Sequence, residues 1–326
     1  MKIMKPDAVL LDSKNKTPYE QIELAGRTCY KSEDSITEDS AVKFCATMKK
    51  NGHFAMLEHA AIHLLMDASD FVELRNVLNL YTTIDSADNT RNTFIHSTLL
   101  AQEHAIVTGT LRSFYELCQA EPSFTNVIGY ALKAKFPEIF DDFVAPLAPN
   151  SVEVIDDDKV KEMVRTYGDE RLKDSILSDH IMHTMKFTCD RGVSHEFVRH
   201  RPASFAQEST RYCNYSKGKF GGEIAVIEPF FYEPGSEAYN LWKEGCEHDE
   251  KIYFKLLELG RTPQEARDNL PTSTKTDIII TANETEWQHI IDLRYHGKTG
   301  KPHPQMKEVM DIAYPLLVAA SDNRLK

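Results

Sequence analysis

The most constraining feature of the chain is the stretch at residues 275–294, KTDIIITANETEWQHIIDLR. Its first half is a short apolar run rich in β-branched residues, which predicts a buried strand. Asn283 follows at once, and asparagine is a preferred N-cap because its side chain accepts a backbone N–H. The stretch therefore predicts a strand that leads directly into a helix carrying Trp287 and Arg294.

Similar start and stop signals recur along the chain. The sequences TPYE at 17–20 and TPQE at 262–265 are capping boxes with proline at the first helical position. Helices and strands that do not alternate strictly predict an α+β fold. The other predicted elements are a helix from 17 to about 29, a helix over 40–50 that ends at Asn51-Gly52, strands over 60–67 and 181–189, a short helix started by Asp190 or Ser194, a helix from 262 that Pro271 ends, and a last helix from Pro304.

The stretch from 70 to 175 differs from the rest of the chain. It contains helical candidates at 104–120 and 125–136 and an acidic run at 151–164, but few residues of obvious chemical use. We therefore expect a single domain over 1–326 with a helical insertion at 70–175.

Charge and cysteine usage exclude several classes of protein. A formal net charge of -12 argues against a general nucleic-acid or anionic-membrane binder, which needs a broad basic surface. The six cysteines form no CxxC pair, which is typical of reduced thiols rather than a disulfide framework. No apolar run is long enough for a signal peptide or a membrane helix. We expect a cytoplasmic protein with neither a nucleic acid nor a membrane as partner.

Against this acidic background, residues 199–216, RHRPASFAQESTRYCNYS, concentrate positive charge. The fixed fork of arginine suits phosphate and carboxylate oxygens, and the group keeps its proton at neutral pH. A single arginine is more often paired with a surface carboxylate, but this density predicts an anion-binding site. The cationic residues are Arg199, His200, Arg201 and Arg211, and the neutral donors and acceptors between them are Ser204, Gln207, Ser209 and Thr210.

Two weaker signals adjoin this cluster. Ser209 lacks a GxSxG turn and has no assignable histidine and aspartate partners, so a binding hydroxyl is favoured over a nucleophile. Arg267 alone is typical of a solvated side chain, and Asn283 is explained as an N-cap. Only their combination with Arg294 suggests a site facing the same cleft.

Histidines raise the question of a metal at two places. His59 and His63 have the i, i+4 spacing that suits zinc on a helix, but the predicted strand from residue 60 separates them too widely to share one ion. The pair in HIMH at 180–183 would face opposite ways on a strand. We therefore predict no metal and locally hydrogen-bonded imidazoles at His63, His180 and His183.

Residues 199–209 also match a longer signature, RHR-(x7)-S, and three further blocks agree with the same family in the right order. On these residues the chain resembles the flavin-dependent thymidylate synthases (the ThyX family) over about 25–67, 180–232 and 250–320. Such length and order are specific, and the 70–175 stretch lies outside the resemblance. The three blocks are AGRTCYKS at 25–32, NGHFAMLEH at 51–59, and EARDNLP, TANETEWQHIIDLR and HPQMKE within 265–308.

The resemblance implies a fold, a reaction and an assembly. The fold would be ThyX-like, with a central mixed sheet flanked by helices, in a homotetramer whose active sites are shared between subunits. The reaction would convert dUMP to dTMP, with methylenetetrahydrofolate as carbon donor and NADPH as reductant through FAD.

The resemblance also implies roles for individual residues. Arg294 would be catalytic, because a permanent charge beside uracil N3 and O2 favours the anionic base and makes C5 more nucleophilic. The residues implied to bind dUMP are Glu196, Arg199, Gln207, Ser209, Thr210, Arg211, Arg267 and Arg294. The residues implied to bind FAD are His53, Arg199, His200, Arg201, Gln207, Asn283, Thr285 and His289.

Four positions depart from the family pattern. Ala55 stands where relatives commonly have serine or threonine, and Glu196 where they often have glutamine. Thr285 replaces a frequent arginine, and His289 a frequent asparagine. Two other functions also fit parts of the sequence. One is a nucleotide- or RNA-binding protein that uses 199–211 without redox chemistry, and the other is a zinc-dependent nucleotide hydrolase built on His53, His59 and His63.

Overall fold

The computed structural model describes residues 1–11, 16–84, 95–144, 151–211, 213–217 and 221–326. The strands are β1 (Lys2–Met4), β2 (Asp7–Leu11), β3 (Ala61–Asp67), β4 (His96–Leu100), β5 (His104–Thr110), β6 (Glu153–Ile155), β7 (Met182–Asp190), β8 (Ser204–Gln207), β9 (Ala225–Ile227) and β10 (Lys275–Asn283). The helices are α1 (Pro18–Tyr30), α2 (Ser40–Lys50), α3 (Ala68–Ile84), α4 (Leu111–Ala120), α5 (Ser123–Lys135), α6 (Pro137–Phe140), α7 (Asp157–Tyr167), α8 (Lys173–His180), α9 (Arg191–Phe197), α10 (Glu237–Glu258), α11 (Pro263–Ala266), α12 (Glu284–Arg294) and α13 (Pro304–Ala320).

The first of the two larger sheets, called here the central sheet, has the strand order β2-β7-β10-β8, and each neighbouring pair is antiparallel. Strand β10 is paired on both edges and almost wholly buried, which explains its continuous apolar run. Successive side chains point to opposite faces of a strand. Ile278 and Ile280 pack with Trp287 of α12 and the apolar face of α13, whereas Ile279 belongs to the core around α1.

The second sheet has the strand order β4-β5-β3-β6 and is also antiparallel. Its strand β3 comes from the part of the chain that resembles the family, while its other three strands come from 70–175. Residues of β3 and β5, including Leu64 and Val107, share one core with helices α1, α2, α4 and α5. A separate two-stranded sheet, β1-β9, is parallel.

These elements confirm the α+β prediction and most of the predicted boundaries. The capping boxes at Thr17 and Thr262 both form, Asp190 caps α9, and the apolar stripe of α13 is buried. Asn283 ends β10 and caps α12, with its Oδ1 accepting a bond from the Glu286 N–H at 2.9 Å. The predicted junction of strand and helix is therefore confirmed.

Three details of the prediction are wrong. The central sheet is antiparallel rather than mixed, because a strand's apolar pattern records its burial and not the direction of its neighbours. The 70–175 stretch is not purely helical, since its described part holds β4, β5 and β6. Residues 104–110 form a strand, and the helix starts only at Leu111 because Thr110 makes a capping box.

No helix in the described part of the chain is long and apolar enough to cross a membrane.

Candidate functional site

The basic stretch at 199–211 is divided in two by strand β8. Ser204 pairs with Thr281 near the end of β10, and Gln207 pairs with Ile278 nearer its start. Residues 199–201 therefore lie toward the Asn283 end of β10, and residues 209–211 toward the Lys275 end. Four residues of strand separate the two groups by roughly 13 Å, so the cluster seen in sequence forms two separate groups of residues within one chain.

The first group is organised around Arg294, the last residue of α12. Its Nη1 donates to Glu196 Oε2 at 2.6 Å, and its Nη2 donates to the Glu196 carbonyl at 3.0 Å. Its Nε donates to His200 Nε2 at 3.2 Å. In the part of the chain that the structure describes, three of the five guanidinium N–H groups of Arg294 are engaged in this way. Two are left for a ligand.

Behind Arg294, the His200 ring bonds to a second acid. Its Nδ1 lies 3.0 Å from Glu286 Oε1, and both side chains are buried. A carboxylate accepts and a guanidinium donates, so His200 must carry its proton on Nδ1 and offer Nε2 as the acceptor. The exposed ring of His289 packs edge-on against His200 at 5.5 Å between centroids.

His200, Glu286 and His289 also offer ligand atoms within 4.8 Å of one another, as a metal site would. A metal-bound histidine normally donates its second ring N–H to an acceptor. With a metal on Nδ1, His200 would instead point an N–H at the Nε–H of Arg294. The hydrogen bonds present therefore fit a proton-ordered chain better than a metal site.

Arg199 and Arg201 differ from most surface arginines. Both are exposed, and neither makes an ion pair with a described residue. Their charges are therefore available to an anion, contrary to the commoner pairing with a surface carboxylate.

The second group lies at the other end of β8. The Gln207 amide donates to Ser194 Oγ at 2.8 Å and to Thr276 Oγ1 at 3.2 Å. Arg267 Nη1 donates to Thr210 Oγ1 at 3.4 Å, which brings the 262–270 segment to the basic stretch as predicted. Ser209 is fixed by its backbone N–H, which donates to the Cys29 carbonyl at 3.1 Å. Arg211 is exposed beside them.

A buried ion network supports this end of β8 and was not predicted from the sequence. Lys275 Nζ lies 2.9 Å from Glu208 and 2.6 Å from Asp277, and Lys31 pairs with the same two acids. Burial alone would raise the pKa of Asp277, but Lys275 and Lys31 outweigh it and hold that pKa well below its usual range. Lys275 and Asp277 are i, i+2 on β10 and so share one face, which was a visible signal.

The predicted flavin residues outside 199–207 are spread over three places. His53 is exposed, with its Nδ1 3.0 Å from the Tyr30 hydroxyl. Asn283 donates through Nδ2 to the Asp179 carbonyl at 3.2 Å, and Thr285 Oγ1 donates to Asp179 Oδ1 at 2.7 Å. Of the predicted flavin residues, the structure brings His289 next to His200 but turns Asn283 and Thr285 toward α8.

The 51–59 block also contacts the 70–175 stretch. Arg112 on α4 donates through Nη1 to Glu58 Oε1 at 2.6 Å and through Nε to Glu116 Oε1 at 2.7 Å. The 51–59 block, which resembles the family, is thus bonded to residues of the 70–175 stretch, which lies outside the resemblance.

The histidines considered for zinc do not converge. His59 Nδ1 bonds to Thr281 Oγ1 at 2.9 Å, and His63 bonds to Thr108 and Asp157, both at 2.8 Å. His53 lies apart on the surface. His63 and His180 are held by local hydrogen bonds, as predicted, and so is His183, 2.9 Å from Glu284.

A cavity of about 820 Å³ lies between α1, β3, β7 and the start of α7. Its polar lining includes His63, Asp157 and Thr281, and none of the predicted dUMP or FAD residues lines it. The candidate site is therefore an open surface rather than this cavity.

Comparisons with known proteins agree with the sequence motifs. A family model described as thymidylate synthase complementing protein matches residues 136–318, more than half of the chain. The match begins inside the 70–175 stretch, so the boundaries of the insertion stay a prediction.

Several curated relatives are named flavin-dependent thymidylate synthase. The protein from Pyrococcus abyssi is 32% identical over 148 residues, 44% of this chain and 58% of the relative. That from Thermococcus onnurineus is 29% identical over 157 residues, 48% and 59%. That from Pyrococcus horikoshii is 34% identical over 149 residues, 45% and 56%. The chain thus spans little more than half the length of these relatives.

Among solved structures, the chain is similar to a UMP/dUMP methylase, PolB, from Streptomyces cacaoi bound with 5-Br dUMP. The identity is 13% and the TM-score 0.39, with 98% of this chain and 93% of that chain covered.

Proposed function

Because the chain belongs to the thymidylate synthase complementing protein family, we propose that it is a flavin-dependent thymidylate synthase. It converts dUMP to dTMP, taking carbon from methylenetetrahydrofolate and reducing equivalents from NADPH through FAD. The names of the curated relatives support a flavin-dependent reaction on this nucleotide.

The observation that carries the proposal is the constrained guanidinium of Arg294. Glu196 and His200 hold three of its N–H groups and leave the other two for a planar ligand edge. A permanently charged group beside uracil N3 and O2 stabilises the anionic base and raises the nucleophilicity of C5. Preorganised charge of this kind costs no reorganisation during the reaction.

The cysteines support a mechanism without a thiol nucleophile. Burial raises the pKa of Cys29 to about 11 and that of Cys118 to about 12. The remaining four cysteines are buried. Because the thiolate is the reactive form, neither Cys29 nor Cys118 is poised for attack at neutral pH.

We assign the dUMP phosphate to the second group. Arg211 and Arg267 supply charge, while the hydroxyls of Ser209 and Thr210 supply neutral hydrogen bonds. Glu196, Arg199, Gln207 and Arg294 are assigned to the base and sugar. Glu196 pairs with Arg294 at 2.6 Å, so the base must share this guanidinium with an acid.

The residues of the first group fit a flavin dinucleotide. Arg199 and Arg201 are exposed cations without an ion pair in the described chain, which suits a pyrophosphate. His200 and His289 lie beside them, and His53, Gln207, Asn283 and Thr285 complete the assignment. When bound, the flavin supplies the redox capacity that protein side chains lack. For Asn283 and Thr285 to contact it, they must leave Asp179, so the fit is better at the arginines.

The separation of the two groups supports a shared active site. Within one chain, Arg294 and Arg211 lie toward opposite ends of β8. A nucleotide that needs both residues can contact the two together if a neighbouring subunit supplies one of them. We therefore propose a homotetramer of single-domain chains, with 70–175 as an insertion and with each site drawn from more than one subunit.

A second candidate is a nucleotide- or RNA-binding protein without redox chemistry, favoured by the same unpaired Arg199 and Arg201. One experiment separates the two. Purified protein is titrated with FAD, and NADPH oxidation is then followed with and without dUMP and methylenetetrahydrofolate, with dTMP detected by mass. Flavin binding and dUMP-dependent dTMP formation are expected. Absence of flavin binding overturns the proposal, and nucleotide binding without turnover favours the second candidate.

A further inference from the structure

A three-residue hydrogen-bond chain joins Glu286 in the first turn of α12, through His200, to the proposed catalytic arginine at the end of the same helix. Glu286 Oε1 lies 3.0 Å from His200 Nδ1, and His200 Nε2 lies 3.2 Å from Arg294 Nε. We propose that Glu286 is a positioning residue, which fixes the proton of His200 on Nδ1 and thereby orients Arg294. The catalytic consequence rests on the proposed function, whereas the proton arrangement does not.

The two partners of His200 differ in what they can offer to a hydrogen bond. A carboxylate only accepts, a guanidinium only donates, and a neutral imidazole has one donor and one acceptor. Only the tautomer with hydrogen on Nδ1 satisfies both contacts of His200. If Glu286 were apolar, nothing would favour that tautomer, and the alternative would direct Nε2–H against the Nε–H of Arg294.

Burial makes the choice of tautomer consequential. His200 is 5% exposed and Glu286 7% exposed, so water has little access to replace a lost partner. A buried donor without a partner is unfavourable because it loses its hydration without gaining a hydrogen bond, and this penalty keeps the chain ordered. The nearby Glu196 accepts from Nη1 and Nη2 of Arg294. Among the described residues, it makes no hydrogen bond to His200.

The backbone holds Glu286 in place. Its N–H donates to Asn283 Oδ1 at 2.9 Å, which fixes it in the first turn of α12. A carboxylate is also favoured at a helix N-terminus, because the free N–H groups there carry partial positive charge. Asn283 therefore acts on the candidate site through the helix start, in addition to any ligand contact.

The test compares Glu286→Leu with Glu286→Gln. The leucine variant removes the acceptor at similar volume, while the glutamine variant keeps an acceptor oxygen. Asp292→Asn is the matched control, since Asp292 lies on the same helix but bonds to Gln288 and Lys298. The first readout is solid-state 15N NMR of histidine-labelled protein, with the His200 signals assigned by their loss in His200→Asn.

We expect wild type, Glu286→Gln and Asp292→Asn to show His200 protonated on Nδ1, and Glu286→Leu to lose that preference. The second readout is steady-state kinetics. Loss of a residue that orients a functional group typically costs about 10–100-fold. In Glu286→Leu we expect this loss in kcat, with little change in KM for dUMP, and near-normal kcat in Glu286→Gln.

Two outcomes overturn the inference. One is an unchanged His200 tautomer in folded Glu286→Leu. The other is a kcat in that variant equal to the Asp292→Asn control. If wild type forms no dTMP but the tautomer still shifts in Glu286→Leu, the positioning chain stands and the proposed function fails. Circular dichroism of each variant confirms that α12 is folded.

Discussion

The basic residues beside the central sheet and the histidines at the second sheet differ in whether their polar groups are paired. Beside the central sheet, Arg199 and Arg201 are left unpaired among the described residues, and Arg294 keeps N–H groups for a ligand. At the second sheet, the Thr108 hydroxyl on β5 lies 2.8 Å from His63 Nδ1 on β3 and 2.6 Å from Nδ1 of His180, the last residue of α8.

The difference shows how to distinguish a binding site from a structural polar cluster. A polar stretch indicates a binding site when the fold leaves some of its donors or charges unpaired. The second sheet attracts attention in sequence and is internally satisfied, whereas the arginines are not. Two of the predictions below test function at the central sheet, one tests the stability of its Asp277 network, and two test the stability of the second sheet.

The largest expected effect is that of Arg294→Ala. It removes the charge proposed to stabilise the uracil anion, and loss of one preorganised group of this kind costs about 100–1,000-fold in turnover. Flavin binding should persist, because the flavin is assigned mainly to other residues. Turnover and flavin absorbance measured on the same preparation test this, and unchanged turnover would remove Arg294 from the mechanism.

The next prediction concerns the division by β8. Arg294→Ala and Arg211→Ala should each be nearly inactive alone. If one site draws these residues from different subunits, randomly mixed oligomers of the two variants should regain about one quarter of the intact sites. Co-expression with two affinity tags provides the mixed oligomers. Activity no greater than the sum of the parents would show that both residues serve one site from one chain.

Acid should weaken the second sheet before the central sheet. Burial, with His63 and His96 nearby, lowers the pKa of His180 to about 3, and burial also lowers that of His96. Because these folded pKa values lie below the unfolded value of about 6.5, the unfolded state binds more protons below that pH. Stability should therefore fall as pH drops below about 6.5, by roughly 1.4 kcal/mol per pH unit for each histidine.

The Asp277 network should respond in a lower pH window. Its folded pKa lies below the unfolded value, so its contribution is present above about pH 4 and is lost as pH falls further. Urea unfolding at several pH values measures both windows.

For the histidines, His180→Asn should flatten the slope of unfolding free energy against pH between pH 6.5 and 5, whereas the exposed His248→Asn should not. Equal slopes in wild type, His180→Asn and His248→Asn would show that His180 is not the source of the pH dependence.

The smallest expected effect is that of Thr108→Val. It removes the hydroxyl between His63 and His180 and leaves two buried ring nitrogens without that partner. The free energy of unfolding should fall by roughly 1–3 kcal/mol, while kcat of the folded protein stays unchanged. Thr28→Val is the matched control, because the buried Thr28 hydroxyl donates only to the Leu24 carbonyl of its own helix. A similar loss in both variants would mean that the histidine pair does not depend on Thr108.

Local structure was predictable wherever a backbone group has a nearby partner. Thr17, Asp190 and Asn283 each cap the helix that follows them, because a cap involves residues within one turn. Strand direction was not predictable, since the same apolar pattern serves parallel and antiparallel neighbours. The strand at 104–110 was mistaken for helix because so short a run of mostly apolar and small residues fits either period.

The candidate site was predictable in its residue types but not in its arrangement. The motif residues 199–211, with Arg267 and Arg294, point to an anion site in the sequence itself. Glu286 was missed because nothing local marks an acid whose partner, His200, lies 86 positions away. The Lys275 and Asp277 pair was detectable by spacing, but its buried partners Lys31 and Glu208 were not.

The sequence by itself determined the family, the helix caps, the buried strand β10 and the chemical character of the 199–211 stretch. The caps and the strand depend on contacts within a few residues. The family follows from the motifs and from their order along the chain. Only the tertiary structure decided that β8 divides the basic stretch, that His63 and His180 share the Thr108 hydroxyl, and that Glu286 reaches Arg294 through His200. The physical reason is that hydrogen-bond partners are chosen by distance and direction in the folded chain, where residues far apart in sequence compete for the same donor or acceptor.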